Sequence, residues 1–413
     1  MWQKVTINLM NDEIFKLIND EEIRQEETLM MIPSENYASK AVREAVGSVL
    51  GNKYAEGYPC KRYYQGNSVV DEIEKLAQER GKRLFGFEHI NVQPYSGSPA
   101  NTAVMFALLN PGDTICGLKL SAGGHLTHGH PDITFSGKYF RSVQYEVNEE
   151  GKIDYDALAK IVLAEKPKLL IAGTTAYPFI LDWKKFREIA DSVDAWLLAD
   201  ISHIAGLVVG GVHPSPVEFA DIVTSTTHKT LRGPRGAFIG ITKVGLTKDE
   251  NLIRKIDRAV FPGLQGGPHE NAIAGMAVAF AEAESEEFKR YVKQVVGNAK
   301  VLVDELRKNG LKVFGTENHL MLIDVGREMG KEMAVKLEDV NIVVNANTIP
   351  YDQGTAFKPS GIRLGTPGVT SRGMGETEMK EIASYISMVV KGEETSFIKT
   401  KVKDLCKRFP ENK

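Results

Sequence analysis

Short apolar runs alternate with amphipathic stretches through the first two thirds of the chain. The runs are bounded by Gly, Pro, Asp or Ser, and they are Thr114–Gly117, Leu169–Gly173, Ala195–Ala199, Ile222–Val223 and Phe238–Ile241. Segments with helical spacing, such as Val69–Phe85, accompany them. Continuous apolar strands that alternate with helices are typical of a mostly parallel sheet covered on both faces. Residues 33–280 are therefore expected to form a large α/β domain.

The pattern differs at each end of the chain. Asn11 and Asp12 suit a helix N-cap before apolar residues at helical spacing, which predicts an N-terminal helical arm over residues 1–32. Residues 270–310 have the composition of long helix. Beyond them, strand-like and helix-like stretches are mixed; these are Val313, Leu320–Val325, Lys331–Leu337, Ile342–Val344 and Glu376–Val390. The mixture predicts a smaller α+β C-terminal domain over residues 281–413.

Composition narrows the class of protein. The chain has 413 residues, of which 42% are hydrophobic and 25% charged, and its formal net charge is −3. This balance gives no reason to expect nucleic acid or an anionic membrane as a partner. The cysteines Cys60, Cys116 and Cys406 form no C-x-x-C pair, and neither a signal peptide nor an apolar span of about 20 residues is visible. We expect a cytoplasmic protein with reduced cysteines.

A hydroxyl-rich segment ending in His228 and Lys229 follows one of the predicted strands. Thr224–Thr227 precedes the pair, and Gly233–Gly236 forms a sharp turn just after it. A lysine that forms a Schiff base has to be unprotonated part of the time, so it belongs in a desolvated or cation-flanked site. Taken alone, such a pair is more often a surface lysine before a loop.

Other groups supply what a cofactor at this lysine needs. Asp200 ends an apolar run, where a carboxylate can hold a protonated ring nitrogen, although an Asp there is more often a helix cap. Ser96–Ser98 begins a predicted helix and Gly266-Gly267 lies in a glycine-rich loop, and both turns suit a phosphate group. A lysine, an acid and a phosphate-binding turn are together what pyridoxal 5′-phosphate (PLP) requires.

Three histidines, His125, His128 and His130, stand close together after Gly123-Gly124. Their spacing can ligate a metal ion. No thiolate or carboxylate adjoins them, and an aromatic ring stacked on a cofactor accounts for His125 equally well. We therefore expect no metal ion.

Motifs spread over nearly the whole chain, from about residue 12 to 390, carry a family resemblance. They are Ser34–Tyr37, Asn52–Pro59, Lys61–Tyr64, Gly123–Gly129, Thr226–Gly236 and Ser360–Pro367. With them the chain resembles serine hydroxymethyltransferases, which are PLP enzymes of the aspartate aminotransferase fold, fold type I. The resemblance implies a large, mostly parallel sheet of seven-stranded type and a smaller α+β domain.

The resemblance also implies roles for single residues. Those around the cofactor are Lys229 as the Schiff-base lysine, Asp200 at the pyridine nitrogen, His203 and Thr175 near the phenolic oxygen, His125 on the ring face, Arg235 near the lysine, and Ser96, Gly97, Ser98, Gly266 and Gly267 at the phosphate. Those near the substrate are Ser34, His203, His228 and Arg363. The guanidinium fork of Arg363 suits the carboxylate of an amino acid.

Part of the site is expected from a second subunit. The resemblance implies that Tyr54, Glu56 and Tyr64 reach the cofactor and substrate from the partner, as do Gly266 and Gly267. Glu56 is the expected group for proton transfer. A homodimer is then the minimum assembly, and a tetramer is also open.

The implied reaction is the reversible conversion of L-serine to glycine, with the one-carbon unit passing to tetrahydrofolate or a related tetrahydropterin. The positions that match pterin contacts are Leu120, Gly124, Leu126 and Asn347. They argue against one alternative, a threonine or β-hydroxy-amino-acid aldolase; an α-methylserine-type transferase also remains. A non-enzymatic binding protein of the same fold is disfavoured because the chemical groups are retained.

Some positions depart from the common family pattern. Tyr95 stands where His is usual, Pro99 where Gln is common, Ala122 where His is found and Thr175 where Ser is usual. None of these changes removes a group that the chemistry requires. Tyr95 and Ala122 alter the polarity around the cofactor and pterin, which leaves the carrier open between tetrahydrofolate and a modified pterin such as tetrahydromethanopterin.

Overall fold

The computed structural model describes residues 12–131 and 133–411. Residues 1–11 of the predicted arm, with the cap residue Asn11, and residues 412–413 of the predicted C-terminal domain lie outside the described residues. Along the chain the strands are β1 (Leu29–Met30), β2 (Gly57–Tyr58), β3 (Lys61–Arg62), β4 (His89–Asn91), β5 (Thr114–Leu118), β6 (Arg141–Tyr145), β7 (Leu169–Gly173), β8 (Trp196–Asp200), β9 (Ile222–Thr226), β10 (Ala237–Ile241), β11 (Lys312–Phe314), β12 (Leu320–Asp324), β13 (Ile342–Val343), β14 (Asn345–Asn347) and β15 (Gly361–Gly365).

Helices surround these strands. They are α1 (Glu13–Glu26), α2 (Lys40–Val46), α3 (Ser68–Phe85), α4 (Gly97–Leu108), α5 (Phe135–Tyr139), α6 (Tyr155–Glu165), α7 (Trp183–Asp191), α8 (Ala205–Val209), α9 (Lys243–Lys248), α10 (Leu252–Arg258), α11 (Glu270–Ala283), α12 (Glu286–Lys308), α13 (Gly330–Asp339), α14 (Pro367–Ser371), α15 (Glu376–Lys391) and α16 (Ile398–Arg408). Short 3-10 turns occur at Val49–Asn52, Leu120–Ala122 and Leu126–His128, and a kinked turn occurs at Ala259–Leu264. No helix in the described part of the chain is long and apolar enough to cross a membrane.

A seven-stranded sheet forms the centre of the large α/β region, in the order β4-β10-β9-β8-β7-β5-β6. Strand β10 is antiparallel to both its neighbours, and the remaining pairs are parallel. Each of the five predicted apolar runs is a strand of this sheet. The two strands that the pattern missed, β4 and β6, are its edges, where polar residues replace a continuous apolar run because one side of an edge strand has no neighbour.

The C-terminal part contains a four-stranded antiparallel sheet in the order β11-β12-β15-β14. The predicted long helix over residues 270–310 is divided between α11 and α12, because the Ser285 hydroxyl accepts a hydrogen bond from the Phe288 N–H and begins a new helix. Helix α12 packs Phe288 and Val292 into the large core and Leu302 and Leu306 into the small one. The cores therefore meet along one helix, and a domain boundary at residue 280 stays a prediction.

One arginine joins the two ends of the described chain. The guanidinium of Arg372 donates five hydrogen bonds to main-chain carbonyls, those of Gln25, Glu26, Thr28, Cys406 and Phe409. Arg372 is 5% exposed. The end of α1 is thereby fixed to α16, while α1 itself buries none of its side chains.

The carboxyl ends of β7, β8 and β9 lie side by side in the sheet. Asp200 ends β8, Thr175 follows β7, and Lys229 follows β9. Open α/β sheets bind ligands outside these strand ends. The topology therefore brings the main chemical groups predicted from the sequence to one edge of the sheet.

Candidate active site

Asp200 is the most tightly held acidic group at this edge. Its Oδ2 accepts hydrogen bonds from Asn101 Nδ2 at 2.9 Å and pairs with His128 Nε2 at 3.0 Å. Its Oδ1 accepts hydrogen bonds from the Ser202 N–H at 3.1 Å and hydroxyl at 2.6 Å. Burial alone would raise the pKa of Asp200, but the bonds from His128 and Asn101 hold it well below its usual range. The site therefore contains a buried carboxylate that is ionised at neutral pH.

Lys229 is a partly buried amine that faces other cations. Its main-chain carbonyl accepts a hydrogen bond from Asn36 Nδ2 at 2.9 Å, which fixes the segment after β9. Desolvation lowers the pKa of Lys229 to about 8, with Arg363 and Arg235 adding to the shift and Asp200 opposing it. The amine is thus partly neutral near physiological pH, as a nucleophilic lysine has to be.

Arg363 lies on β15 and reaches from the four-stranded sheet into the same site. Its Nη1 donates to the Thr175 carbonyl at 2.7 Å and its Nε donates to Asn345 Oδ1 at 2.9 Å. Burial lowers the pKa of Arg363 to about 10, so the guanidinium stays charged at neutral pH. The Thr175 N–H in turn donates to the carbonyl of Gly123 at 2.7 Å. Gly123 has a φ of +99°, and a Cβ there would lie 2.8 Å from the Ala176 carbonyl oxygen, so only glycine fits this contact.

Three neutral histidine rings line the site. His203 Nδ1 lies 3.4 Å from His319 Nε2, and the two rings are stacked. Desolvation, together with nearby cations, lowers the pKa of His203 well below its usual range and that of His319 to about 3. Desolvation also lowers the pKa of His125 to about 4, and its Nδ1 lies 2.7 Å from the Thr127 hydroxyl. Such uncharged rings can pack against an aromatic cofactor. Because they carry no positive charge, they do not compete with the Lys229 ammonium group for the Asp200 carboxylate.

The start of α4 provides a place for a dianion. Ser96 is the N-cap of this 12-residue helix, its hydroxyl makes no cap hydrogen bond, and both Ser96 and Ser98 are exposed. A Cβ on Gly97 would lie 2.8 Å from Thr226 Cγ2, so the helix start lies directly against the end of β9. Thr226 Oγ1 is buried and has no hydrogen-bond partner. This donor set fits the phosphate of PLP, and the ionised Asp200 fits its positively charged ring nitrogen.

Tyr54, Glu56 and Tyr64 lie in a separate group on the surface. Tyr54 and Tyr64 are 57% and 48% exposed and pack edge to face, with ring centroids 5.2 Å apart. The charge of Glu56 raises the pKa of Tyr54. Among the described residues, no hydrogen bond or ion pair joins this group to Lys229, Asp200 or Arg363. Their predicted contribution across a subunit interface stays a prediction.

The Gly266-Gly267 loop lies with this surface group. A Cβ on Gly266 would be 3.1 Å from Glu56 Oε1, and one on Gly267 would be 3.4 Å from the Tyr54 ring. The Tyr95 hydroxyl donates to the Gly267 carbonyl at 2.7 Å, beside the Ser96 turn. The ring of Tyr95 also stacks on His269 at 4.1 Å. Tyr95, a departure from the family pattern, thereby connects the loop to the proposed phosphate turn.

The remaining predicted residues lie in two further places. Ser34, His228 and Arg235 line one surface cavity of about 610 Å³. Of the predicted pterin positions, Leu120 is next to Ser121, whose carbonyl accepts a hydrogen bond from the hydroxyl of Thr348 at 3.1 Å, next to Asn347. Leu126 is 41% exposed. Gly124 has no room for a side chain, since a Cβ would lie 1.9 Å from the Leu118 carbonyl oxygen.

Sequence reasoning missed three contributors to the site. Asn101 and His128 hold Asp200, and His319 stacks on His203. His128 was visible only as one member of a histidine cluster, and Asn101 only as a residue in the Ser-Gly-Ser helix. Nothing in the sequence around His319 marks it. In the described part of the chain, no group of three or more His, Cys, Asp or Glu is arranged to hold a metal ion.

Comparisons with known proteins give a consistent result. The family model described as serine hydroxymethyltransferase matches residues 7–386. A serine hydroxymethyltransferase of Desulfotalea psychrophila is 53% identical over 406 residues, which cover 96% of this chain and 94% of the relative. One from Acidothermus cellulolyticus is 52% identical over 412 residues, covering 96% and 95%. One from Legionella pneumophila is 52% identical over 418 residues, covering 99% of each.

Proposed function

The chain belongs to the serine hydroxymethyltransferase family, and from this premise we propose that its site holds PLP at Lys229 and uses tetrahydrofolate as the one-carbon carrier. The family makes it a transferase of serine, glycine and one-carbon metabolism, which interconverts L-serine and glycine. The family and the seven-stranded sheet also confirm the predicted fold, PLP-dependent fold type I. The alternatives of an aldolase and an α-methylserine-type transferase are not favoured.

One observation carries the cofactor proposal. Lys229 and a hydrogen-bonded, buried Asp200 lie at the ends of neighbouring parallel strands, next to a helix start with free hydroxyls. When bound, PLP supplies an electron sink for charge that develops on the amino-acid substrate. Asp200 holds the positive ring nitrogen, and Ser96, Ser98 and Thr226 bind the phosphate. His125 packs on the ring face, with His203 and Thr175 near the phenolic oxygen.

The substrate roles follow from charge and hydrogen-bonding capacity. Arg363 binds the carboxylate of serine or glycine, because its plane is fixed by Thr175 and Asn345 while its charge is retained. Ser34 and His228 lie beside the substrate, and Arg235 lies near Lys229, whose pKa it helps to lower. Orientation of the substrate by fixed groups lowers the barrier by avoiding entropy loss during the reaction.

We assign proton transfer with the hydroxymethyl group and the carrier to Glu56. Its carboxylate lies against Gly266 and beside Tyr54, which packs edge to face on Tyr64. A carboxylate can accept a proton from the substrate hydroxyl at Oε1 or Oε2 and return it in the reverse direction. Leu120, Gly124, Leu126 and Asn347 form the proposed pterin contacts.

A homodimer completes this site. Tyr54 and Tyr64 are large, exposed aromatic residues, and α1 exposes Ile14, Phe15 and Leu17. Apolar groups that remain exposed in a single chain are typical of an interface. The surface group with Glu56 then serves the Lys229 site of the partner subunit, and Gly266 and Gly267 adjoin its phosphate. A cytoplasmic location is proposed because all three cysteines are unpaired.

The decisive experiment measures glycine formation from L-serine with tetrahydrofolate, with tetrahydromethanopterin and with no pterin. We expect turnover that requires tetrahydrofolate and that disappears in Lys229→Ala. Equal turnover without a pterin would replace the transferase assignment with an aldolase. Turnover with tetrahydromethanopterin alone would keep the reaction and change the carrier.

A further inference from the structure

A buried cluster of charges lies beneath the hairpin formed by β2 and β3. Arg62 Nη2 lies 2.6 Å from Glu74 Oε2 and 3.6 Å from Glu270 Oε1, and Arg62 Nε lies 2.9 Å from Asp71 Oδ1. The side chains of Glu74 and Glu270 are completely buried, and that of Arg62 is 3% exposed. The cluster takes no part in the chemistry described above.

Glu270 is the member of the cluster without hydrogen bonds. Neither of its carboxylate oxygens has a hydrogen-bond partner, and its ion pair with Arg62 is long at 3.6 Å, whereas Glu74 accepts bonds from Arg62 at 2.6 Å and from Gln93 at 2.9 Å. An ionised carboxylate without such bonds is strongly disfavoured in a protein interior. A neutral carboxylic acid at Glu270 avoids most of this penalty.

The surrounding charges lead to the same protonation state. Arg62 supplies one positive charge, which Asp71 and Glu74 already outnumber, and Asp257 adds a further negative charge beside Glu74. Burial first, and then the charge of Glu74, raise the pKa of Glu270 to about 8. Burial also raises the pKa of Glu74, but Glu74 has the hydrogen bonds from Arg62 and Gln93 that stabilise an anion, so the proton belongs on Glu270. Glu270 is in the first turn of α11, where the helix dipole modestly favours an anion. Burial of a carboxylate that has no hydrogen bond and shares its one cation with Asp71 and Glu74 costs more than the dipole returns, so the neutral form prevails.

The cluster adjoins both loops of the surface group. Arg62 Nη1 donates to the carbonyls of Ala55 at 2.8 Å and Gly57 at 3.0 Å, which are the residues on either side of Glu56. Glu270 follows the Gly266-Gly267 loop and begins the next helix. The Glu56 carboxylate contacts that loop at Gly266. Arg62 holds the main chain around Glu56, and Glu270 begins the helix that follows the Gly266-Gly267 loop. The pair of Arg62 with Glu270 therefore joins the two segments that meet where Glu56 contacts Gly266.

We propose that Glu270, as a neutral acid facing Arg62, is a positioning residue that keeps the segment carrying Tyr54 and Glu56 in place against the Gly266-Gly267 loop. Ionisation of Glu270 at alkaline pH adds a second uncompensated negative charge beside Glu74. The segment opens to hydrate that charge. The inference about positioning stands on the cluster alone, while its effect on turnover rests on the proposed role of Glu56.

The size of the effect follows from linkage. The pKa of Glu270 is about 8 in the closed segment, against an ordinary value of 4.5. Between these two pH values the closed segment therefore holds a proton on Glu270 that the opened segment lacks. The stability of the closed segment is then complete at low pH and decreases as the pH rises toward about 8. Opening becomes about thirtyfold more favourable between about pH 6.5 and pH 9 if the opened segment restores the ordinary value.

Hydrogen–deuterium exchange of residues 53–63 and 264–269 tests this directly, with wild type and Glu270→Gln measured at the same pH so that intrinsic exchange cancels. We expect the ratio of wild-type to Glu270→Gln exchange rates to rise about thirtyfold between about pH 6.5 and pH 9. Glu270→Met, which is also unable to ionise, serves if the Gln variant does not fold. Glu72→Gln, an exposed change on α3, is the matched control and should behave as wild type.

An exchange ratio between wild type and Glu270→Gln that is the same at both pH values overturns the inference. Activity provides a second measurement. The kcat of the wild type should fall as the pH rises toward about 8 and level off above it, while KM for serine changes little, and Glu270→Gln should lessen the fall. Absence of serine turnover at every pH would refute the proposed function and leave the exchange result to decide the role of Glu270.

Discussion

The Nε2 atom of His128 lies 3.0 Å from Oδ2 of Asp200, in a contact that is almost fully buried on both sides. It joins the turn after the glycine-rich segment to the end of β8. Asn101 donates to the same oxygen from α4. The orientation and charge of the carboxylate are therefore set by two elements outside its own strand.

Replacing His128 should weaken cofactor binding. His128→Ala removes a bond to an ionised group, which is worth about 1.5–3 kcal/mol, so the Kd for PLP should rise about tenfold to a hundredfold. Titration of the apoprotein with PLP, followed by absorbance, measures this. His128→Gln retains a donor and should recover part of the affinity. His130→Ala, in the same segment, should leave the Kd unchanged; a matching loss there would assign the effect to the fold of the segment.

Attachment of PLP to Lys229 should depend on pH in a particular way. With a pKa of about 8, roughly one tenth of Lys229 is neutral at pH 7, against about one in three thousand for an ordinary lysine. The rate of attachment, followed by stopped-flow absorbance, should rise about tenfold from pH 6 to pH 7 and level off above pH 8. A rate that continues to rise beyond pH 10 would contradict a lowered pKa. Borohydride reduction and peptide mapping should find the label on Lys229.

Glu56→Gln should separate chemistry from cofactor binding. The amide keeps the size of the side chain but cannot accept a proton, so kcat for tetrahydrofolate-dependent serine conversion should fall by about 10²–10⁴. The Kd for PLP should stay the same, since Glu56 contacts Gly266 rather than the Lys229 group. Steady-state kinetics beside PLP titration makes the comparison. Unchanged turnover would remove Glu56 from the mechanism.

Arg372 should be important for stability and not for catalysis. Arg372→Ala leaves five main-chain carbonyls without their donor, and we expect the free energy of unfolding to fall by about 3 kcal/mol. Arg408→Ala, which breaks an exposed pair with Glu381, should cost less than about 1 kcal/mol. Urea unfolding compares the two. Similar losses would mean that the connection between α1 and α16 contributes little.

The sequence was most informative where a chemically active residue lies at the end of a buried strand. Asp200 and Lys229 could be located because an apolar run fixes where the strand ends, and strand ends meet at one edge of a sheet. The edge strands β4 and β6 could not be predicted, because each has a neighbouring strand on one side only. Their sequences contain polar residues and no continuous apolar run. The break at Ser285 depends on a single cap hydrogen bond within a continuous helical composition.

Contacts between distant segments were beyond sequence reasoning. The pairing of Asp200 with Asn101 depends on how α4 packs on the sheet, and the contact of Arg62 with Glu270 joins residues far apart in the chain. No spacing rule brings such residues together. Charge and burial, which decide that Glu270 is neutral, exist only once the fold is formed.

The placement of Lys229 and Glu56 in separate groups of one chain affects how defective subunits combine. In the proposed homodimer, each catalytic centre draws Lys229 from one subunit and Glu56 from the other. A hybrid of Lys229→Ala with Glu56→Gln would carry both defects in one centre and neither in the other. Two inactive proteins would therefore regain activity by complementation when their subunits exchange, to at most half of that of the wild-type dimer for each hybrid formed.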